Sequence, residues 1–259
     1  MINLRALEKI ALFLMCVISI TACAPVNAPP VGSESEKAAD KTEPVPQKDL
    51  KIPSIINVKL NGQGEISASI GGIAVTIKAQ ACNEDSPGIM LCNRSPVVEV
   101  TFQGVKSIAV EPEALYLDSN ATLYHGPLDE SYKGNRHSII LTDVNDDGHE
   151  DLLMWSGKEG NYGGPSYSVY LFDAVKQRLV FNQSLSDITV MANGLFSVKG
   201  NALMSTSGDG CCIHVVDTYE LKKNEAVLVE RITEDTNDPA NPKTRTERLQ
   251  NGEMKEVAN

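Results

Sequence analysis

The sequence predicts an all-β protein: one propeller-like or barrel-like antiparallel domain spanning 55–259, behind a leader at 1–22 and a tether at 23–54. Three observations predict it. Short β-branched runs recur from Ile55 onward, Gly-Gly, Asn-Gly and Asp-Gly dipeptides punctuate them, and helical periodicity is almost absent. Runs of this length with turn residues between them indicate strands in hairpins rather than helices. Ile66–Ile70, Ile73–Ile77, Val97–Phe102, Ser138–Leu141, Tyr167–Phe172 and Val215–Tyr219 are the clearest. Residues 221–259 are polar and are broken by Asp238-Pro and Asn241-Pro. They are expected to add at most a terminal hairpin at Val227-Leu-Val and Asn251-Gly, with a flexible end.

The leader begins with a polar stretch carrying Arg5 and Lys9, followed by the apolar run Ile10–Ile20. As a helix that run rises about 16 Å, roughly half of a bilayer core, which suits the apolar region of a cleaved signal peptide. Ile20-Thr21-Ala22-Cys23 then resembles the lipobox of bacterial lipoproteins, in which small residues precede a cysteine that is acylated and becomes the new N-terminus. Cys23 is the expected lipidation site, and a plain secretory cut near Ala22 or Ala24 is the alternative. Ala24 stands where such lipoproteins carry Asp for retention, so the resemblance implies the periplasmic face of the outer membrane.

Between Ala24 and Pro53 fall six of the chain's thirteen prolines, mixed with Glu, Lys, Ser and Ala. Such a composition buries too little apolar surface to offset its ordering entropy, so a disordered, semi-extended tether is expected. Removing 1–22 takes away Arg5, Lys9 and Glu8, leaving 21 basic and 33 acidic residues and a net charge of −12. That balance argues against nucleic acid and anionic headgroups as partners, so contact with the membrane is expected through the lipid alone. Oligomeric state is not legible.

Beyond Cys16 and Cys23 the cysteines number four: Cys82, Cys92, Cys211 and Cys212. An oxidising compartment favours pairing. Cys82 with Cys92 and Cys211 with Cys212 is one solution, and crossed pairing is the other. Cys211-Cys212-Ile213-His214 also has the look of a metal cluster, a weaker reading outside the cytoplasm.

The sharpest chemical signal is Asp143-Val-Asn-Asp-Asp147-Gly-His-Glu-Asp151. It follows the front of an EF-hand loop: Asp143, Asn145 and Asp147 alternate, Gly148 makes the sharp turn, and His149 offers its carbonyl. Calcium is the expected cofactor, because a hard cation wants several oxygens converging on one point. Met154 stands where that loop carries its bidentate acid, so Asp151 must substitute. An acidic β-turn without metal is the alternative.

Next comes Ser156-Gly-Lys-Glu-Gly160-Asn-Tyr162-Gly-Gly-Pro-Ser-Tyr167. Rigid amphipathic tyrosines in a glycine-rich loop are interface anchors. Tyr162, in mid-loop, is the expected contact; Tyr167 is either a contact or core packing at a strand edge. No Walker lysine or following helix makes this a phosphate cradle.

Together these residues, with Asn193-Gly-Leu-Phe196 and Ser207-Gly-Asp-Gly-Cys-Cys212, resemble the periplasmic lysozyme-inhibitor-like immunity lipoproteins that protect bacteria from effectors of type IV killing systems. The resemblance spans about Ser138 to Tyr219. It implies a calcium-bound β-domain similar to inhibitors of invertebrate-type lysozymes, whose partner is a lysozyme-like peptidoglycan hydrolase. It also implies inhibition by a loop inserted into the hydrolase cleft, with Ser156, Gly157, Tyr162 and Tyr167 as candidate contacts. In such inhibitors a Ser-Gly element precedes the tyrosine; here Ser156-Gly157 lies five residues before Tyr162, a longer spacing. The protein itself is expected not to be an enzyme, since His125, His137, His149 and His214 come without a Gly-x-Ser-x-Gly elbow or a His-Glu-x-x-His pair. The rival reading is an integrin-repeat-like calcium module that binds glycan or an envelope protein, though only one such loop is present.

Overall fold

A computed structural model describes residues 53–61, 64–118, 121–129, 132 and 136–258. The leader, Cys23 and the tether up to 52 lie outside the described residues. These fold as β1 (Ser54–Val58), β2 (Glu65–Ile70), β3 (Ile73–Lys78), β4 (Asn83–Ser86), β5 (Ile89–Cys92), β6 (Val97–Thr101), β7 (Ile108–Val110), β8 (Leu115–Asp118), β9 (Ala121–His125), β10 (Ile139–Thr142), β11 (Asp151–Gly160), β12 (Gly164–Asp173), β13 (Arg178–Asn182), α1 (Gln183–Ile188), β14 (Ser197–Lys199), β15 (Ala202–Asp209), β16 (Ile213–Lys222), β17 (Glu225–Asp235), β18 (Lys243–Gln250) and β19 (Glu253–Val257). Among them no helix is long and apolar enough to cross a membrane.

The strands build four sheets, in the orders β1-β9-β10-β11-β12-β13, β14-β15-β16-β17-β18-β19, β2-β3-β6-β7 and β4-β5-β8. All pairings are antiparallel except that of β9 with β10. Each order ends in two edge strands, so the domain is a stack of open sheets and not the closed barrel that the strand spacing allowed. The first sheet is buried on both faces at its centre. Ile139, Leu141, Leu152 and Met154 face a core shared with Ile66, Val75, Ile77, Val98 and Val100 of the four-stranded sheet. Their neighbours Ile140, Leu153, Tyr167, Val169 and Leu171 face a second core with Leu185 of α1, Phe196 and Leu203. This is why β10 and the start of β11 read as unbroken apolar runs rather than alternating ones.

The described residues after 220 overturn the expectation of at most a terminal hairpin: they complete a six-stranded meander through β17, β18 and β19. The polar pattern misleads because these strands face solvent widely and are laced by cross-strand charges. Arg231 donates from its fork to both oxygens of Asp217, each at 2.7 Å, and Arg248 donates to Glu230 at 2.6 Å. Such pairs sit opposite one another across a ladder and help set its register. α1 was not legible either. It is short, and its start is set by Asn182, whose side chain accepts the Leu185 N–H at 3.0 Å.

The disulfides join Cys82 with Cys92, ten residues apart, and the adjacent Cys211 and Cys212, and crossed pairing does not occur. The first staples the β4–β5 hairpin. Lys158 of β11 holds the same hairpin through an ion pair with Asp85 and lies 5.7 Å over the Tyr116 ring.

Candidate functional site

Two loops at the ends of β11 carry the candidate chemistry. The acidic loop joins β10 to β11 and is nailed to the second core by Val144, which is fully buried. Asp143 accepts the Asp147 N–H at 3.1 Å through one oxygen and the Gly148 N–H at 3.0 Å through the other. Asp147 accepts the His149 N–H at 2.9 Å. Gly148 has φ +86° with open space where a side chain would stand, so glycine is there for its backbone freedom alone. Asp151, fully buried, accepts the Val144 N–H at 2.9 Å and the Phe172 N–H at 2.8 Å. Burial pushes its carboxyl up to about 8 against the pull of those two donors, and burial also raises Asp143.

Three features decide how well these residues suit a cation. The carboxylates of Asp143 and Asp151 are taken up by N–H groups of the loop and, for Asp151, of Phe172 in β12, and among the described residues no three His, Cys, Asp or Glu side chains converge as a metal group. Asn145 donates its amide to Asp147 at 3.0 Å and to Asn224 at 3.1 Å, which leaves its Oδ1 buried with no hydrogen-bond partner. A buried amide oxygen without a donor and a buried carboxyl without a cationic partner are the donor chemistry a hard divalent ion takes. Asp143, Asn145, Asp147 and Asp151, with the His149 carbonyl, are therefore a set that fits calcium in kind. The His149 ring packs on Phe172, with centroids 5.5 Å apart, and takes no part.

At the other end of β11, a single 3-10 turn at Asn161–Gly163 reverses the chain into β12. Tyr162 sits at its tip in the left-handed region, φ 55° and ψ 31°, with 76% of its surface exposed. For a bulky residue that backbone is strained, and it persists only where the surroundings hold it. They do: the Tyr162 hydroxyl donates to the Gly210 carbonyl at 2.7 Å, and the Tyr162 N–H donates to Asn161 Oδ1 at 3.1 Å.

The neighbouring candidates divide. Tyr167 is a core residue, 2% exposed, cross-strand from Trp155 and fastened by the Thr189 hydroxyl, which accepts its N–H at 2.9 Å. It is not available to a partner. The two tyrosines are five residues apart, yet one lies in regular strand facing the core and the other in the turn. Gly157 corrects the expectation as well. It is buried in a bulged stretch of β11, accepts the Trp155 indole N–H at 2.7 Å, and a side chain there would collide with Glu159 and Ser166. Ser156 is half-buried and bonds Ser168 at 2.9 Å. Gly157 thus lies inside the hairpin, and Ser156 is only partly exposed beside it.

Sequence reasoning missed Asn161, which has no motif signature. Its amide donates to Asn193 Oδ1 and to the Gly208 carbonyl, both at 2.8 Å, and its backbone N–H donates to Ala192 at 2.7 Å. Of the histidines, His125 lies 3.3 Å from Glu150, and His137 is buried against the Tyr124 ring with its basicity lowered to about 4 by burial. His214 lies exposed on β16, next to the Cys211–Cys212 turn.

No protein-family model matches the chain, and no curated protein matches it. Among solved structures, it is similar to one described as a Xanthomonas Type IV Secretion System related protein, with 80% sequence identity and a TM-score of 0.79. The match covers 81% of this chain and 100% of the other.

Proposed function

From the premise that this chain belongs to the family of that Xanthomonas Type IV Secretion System related protein, we propose that it is a lipid-anchored protein of the periplasmic outer-membrane face that binds and inhibits a lysozyme-like peptidoglycan hydrolase. The observation that carries this reading is Tyr162: a large aromatic residue, 76% exposed, held by hydrogen bonds at the tip of a hairpin. An aromatic side chain pre-organised in this way gives up little entropy on binding.

Glycosidases of this class work with a protonated carboxylic acid and a carboxylate flanking a sugar groove. The Tyr162 hydroxyl already spends its proton on Gly210, so its oxygen is left as an acceptor for the proton of the catalytic acid, while the ring fills a sugar subsite. The net charge of −12 after loss of the leader would speed encounter with a basic hydrolase. Calcium, held by the Asp143–Asp151 loop, would brace the opposite end of β11 and play no chemical part. Anchoring at Cys23 concentrates the inhibitor where the hydrolase meets its substrate.

The test is a turbidity assay in which the domain from Ile55 is added to a panel of peptidoglycan hydrolases digesting cell walls, with and without calcium. Stoichiometric inhibition of a member is expected. A folded domain that inhibits none of them would overturn the reading and favour a glycan- or envelope-binding module.

A further inference from the structure

Tyr162 does not stand on its own hairpin alone. Three distant segments meet behind it: the hairpin at 159–162, the stretch 191–193 after α1, and the β15–β16 turn at 208–212. Met191 donates its N–H to the Glu159 carbonyl at 2.7 Å, and Asn193 donates its N–H to Thr206 at 2.7 Å. Asn161 links all three, since it donates to Ala192, Asn193 and Gly208 and accepts from Tyr162. The position needs two donors and an acceptor on one short side chain, and aspartate has no such donors.

The turn that receives the Tyr162 hydroxyl has a covalent lock. Gly210, Cys211 and Cys212 connect the register partners Asp209 and Ile213, with Gly210 at φ +63°. The Cys211–Cys212 disulfide closes a ring that contains the peptide bond between the two residues, and so removes most of the torsional freedom of the turn. On its far side Cys212 accepts the Thr236 N–H at 2.8 Å and the Thr236 hydroxyl at 3.1 Å. The Gly210 carbonyl is thereby held where Tyr162 meets it.

We infer that Asn161 and the Cys211–Cys212 turn are the positioning residues of Tyr162, and that the oxidised disulfide is required to hold the ring in its binding pose. The inference rests on the reading of Tyr162 as the partner contact, and it adds a means of regulation. Cys211 is exposed, so a dithiol can reach it. One thiolate attacks Cys211 Sγ, and Cys212 leaves as a thiolate that takes up a proton. The second thiol then resolves the mixed disulfide, so the reagent ends as a disulfide and both cysteines as thiols. The turn regains its freedom, Gly210 drifts from the hydroxyl, and a residue in strained left-handed backbone loses one of its holds.

The measurement is chymotrypsin cleavage after Tyr162, followed by mass spectrometry on the purified full chain, with circular dichroism as a check on the fold. Oxidised wild type should resist cleavage. Treatment with dithiothreitol, the Cys211→Ser/Cys212→Ser double variant, and Asn161→Ala should each raise cleavage at this bond about tenfold, the scale of one hydrogen bond in a local opening. Dithiothreitol should add nothing to the double variant, which separates this effect from opening of Cys82–Cys92. Tyr162→Phe remains a chymotrypsin site and should match the double variant, with no further increase when the two are combined. Cleavage of the double variant at the wild-type rate would overturn the inference. If the variants open the turn as expected while inhibition in the hydrolase panel is unchanged, the positioning stands and the inhibitory role of Tyr162 falls.

Discussion

Asp151 Oδ1 accepts the backbone N–H of Phe172 at 2.8 Å, so the last residue of the acidic loop is bonded into the neighbouring strand β12. The same side chain accepts the Val144 N–H through its other oxygen. The loop is thus hydrogen-bonded into the sheet whose β11–β12 turn carries Tyr162.

Calcium is expected to raise the melting temperature of the wild-type domain, by about 2–4 °C for each kcal/mol of binding free energy in a domain of this size. Asp143→Ala should abolish that response. It should also lower stability by about 1–2 kcal/mol without calcium, because the N–H groups of Asp147 and Gly148 lose their acceptor. Asp143→Asn keeps one acceptor and should lose the calcium response with a smaller drop. Calorimetry with calcium and with a chelator distinguishes these outcomes.

Tyr162→Ala is expected to weaken hydrolase inhibition at least about tenfold, the scale of an aromatic anchor at an interface. The melting temperature should hardly move, since the residue is 76% exposed. A titration of the sensitive hydrolase with each protein reads the first effect, and a thermal scan the second.

Gly160 and Gly163 flank Tyr162 and should respond differently to alanine. At Gly160 a Cβ would lie 2.8 Å from the backbone of Gly164 and Pro165, so Gly160→Ala must spread the hairpin, at a cost of about 1–3 kcal/mol. At Gly163 there is open space, and the cost of Gly163→Ala is the left-handed φ of +72°, about 1 kcal/mol. Urea unfolding should rank the two in that order.

His137 carries a pH dependence. Its folded-state basicity is lowered to about 4 by burial, against an ordinary value of 6.5. As pH falls from 6.5 towards 4 the unfolded chain takes up a proton that the folded chain refuses, so stability falls over that window. The loss assigned to this group is about 2 kcal/mol. His137→Phe retains an aromatic ring beside Tyr124, 5.2 Å away in the native protein, and should flatten the dependence between pH 4.5 and 7 in urea titrations.

Much of this was legible along the chain because short-range rules decide it. Short β-branched runs between turn residues marked β2, β3, β6, β10, β12 and β16, and the Asp143–Asp151 spacing marked the acidic loop, since period and turn chemistry are local. The even count of four cysteines indicated pairing.

What only the tertiary structure decided is which face each residue presents and which distant segment answers it. Tyr162 and Tyr167 belong to one loop motif, but Tyr167 lies in regular strand opposite Trp155 and faces the second core, while Tyr162 sits at the tip of the turn and is exposed. Charged strands β17 and β18 look like a solvated tail until β16 offers its edge and Asp217 its carboxylate to Arg231. Asn161 has no local signature, for its three partners come from segments brought together only when the sheets close over the second core. Local chemistry is written in neighbouring residues; facing and long-range partnership are settled by burial of the whole.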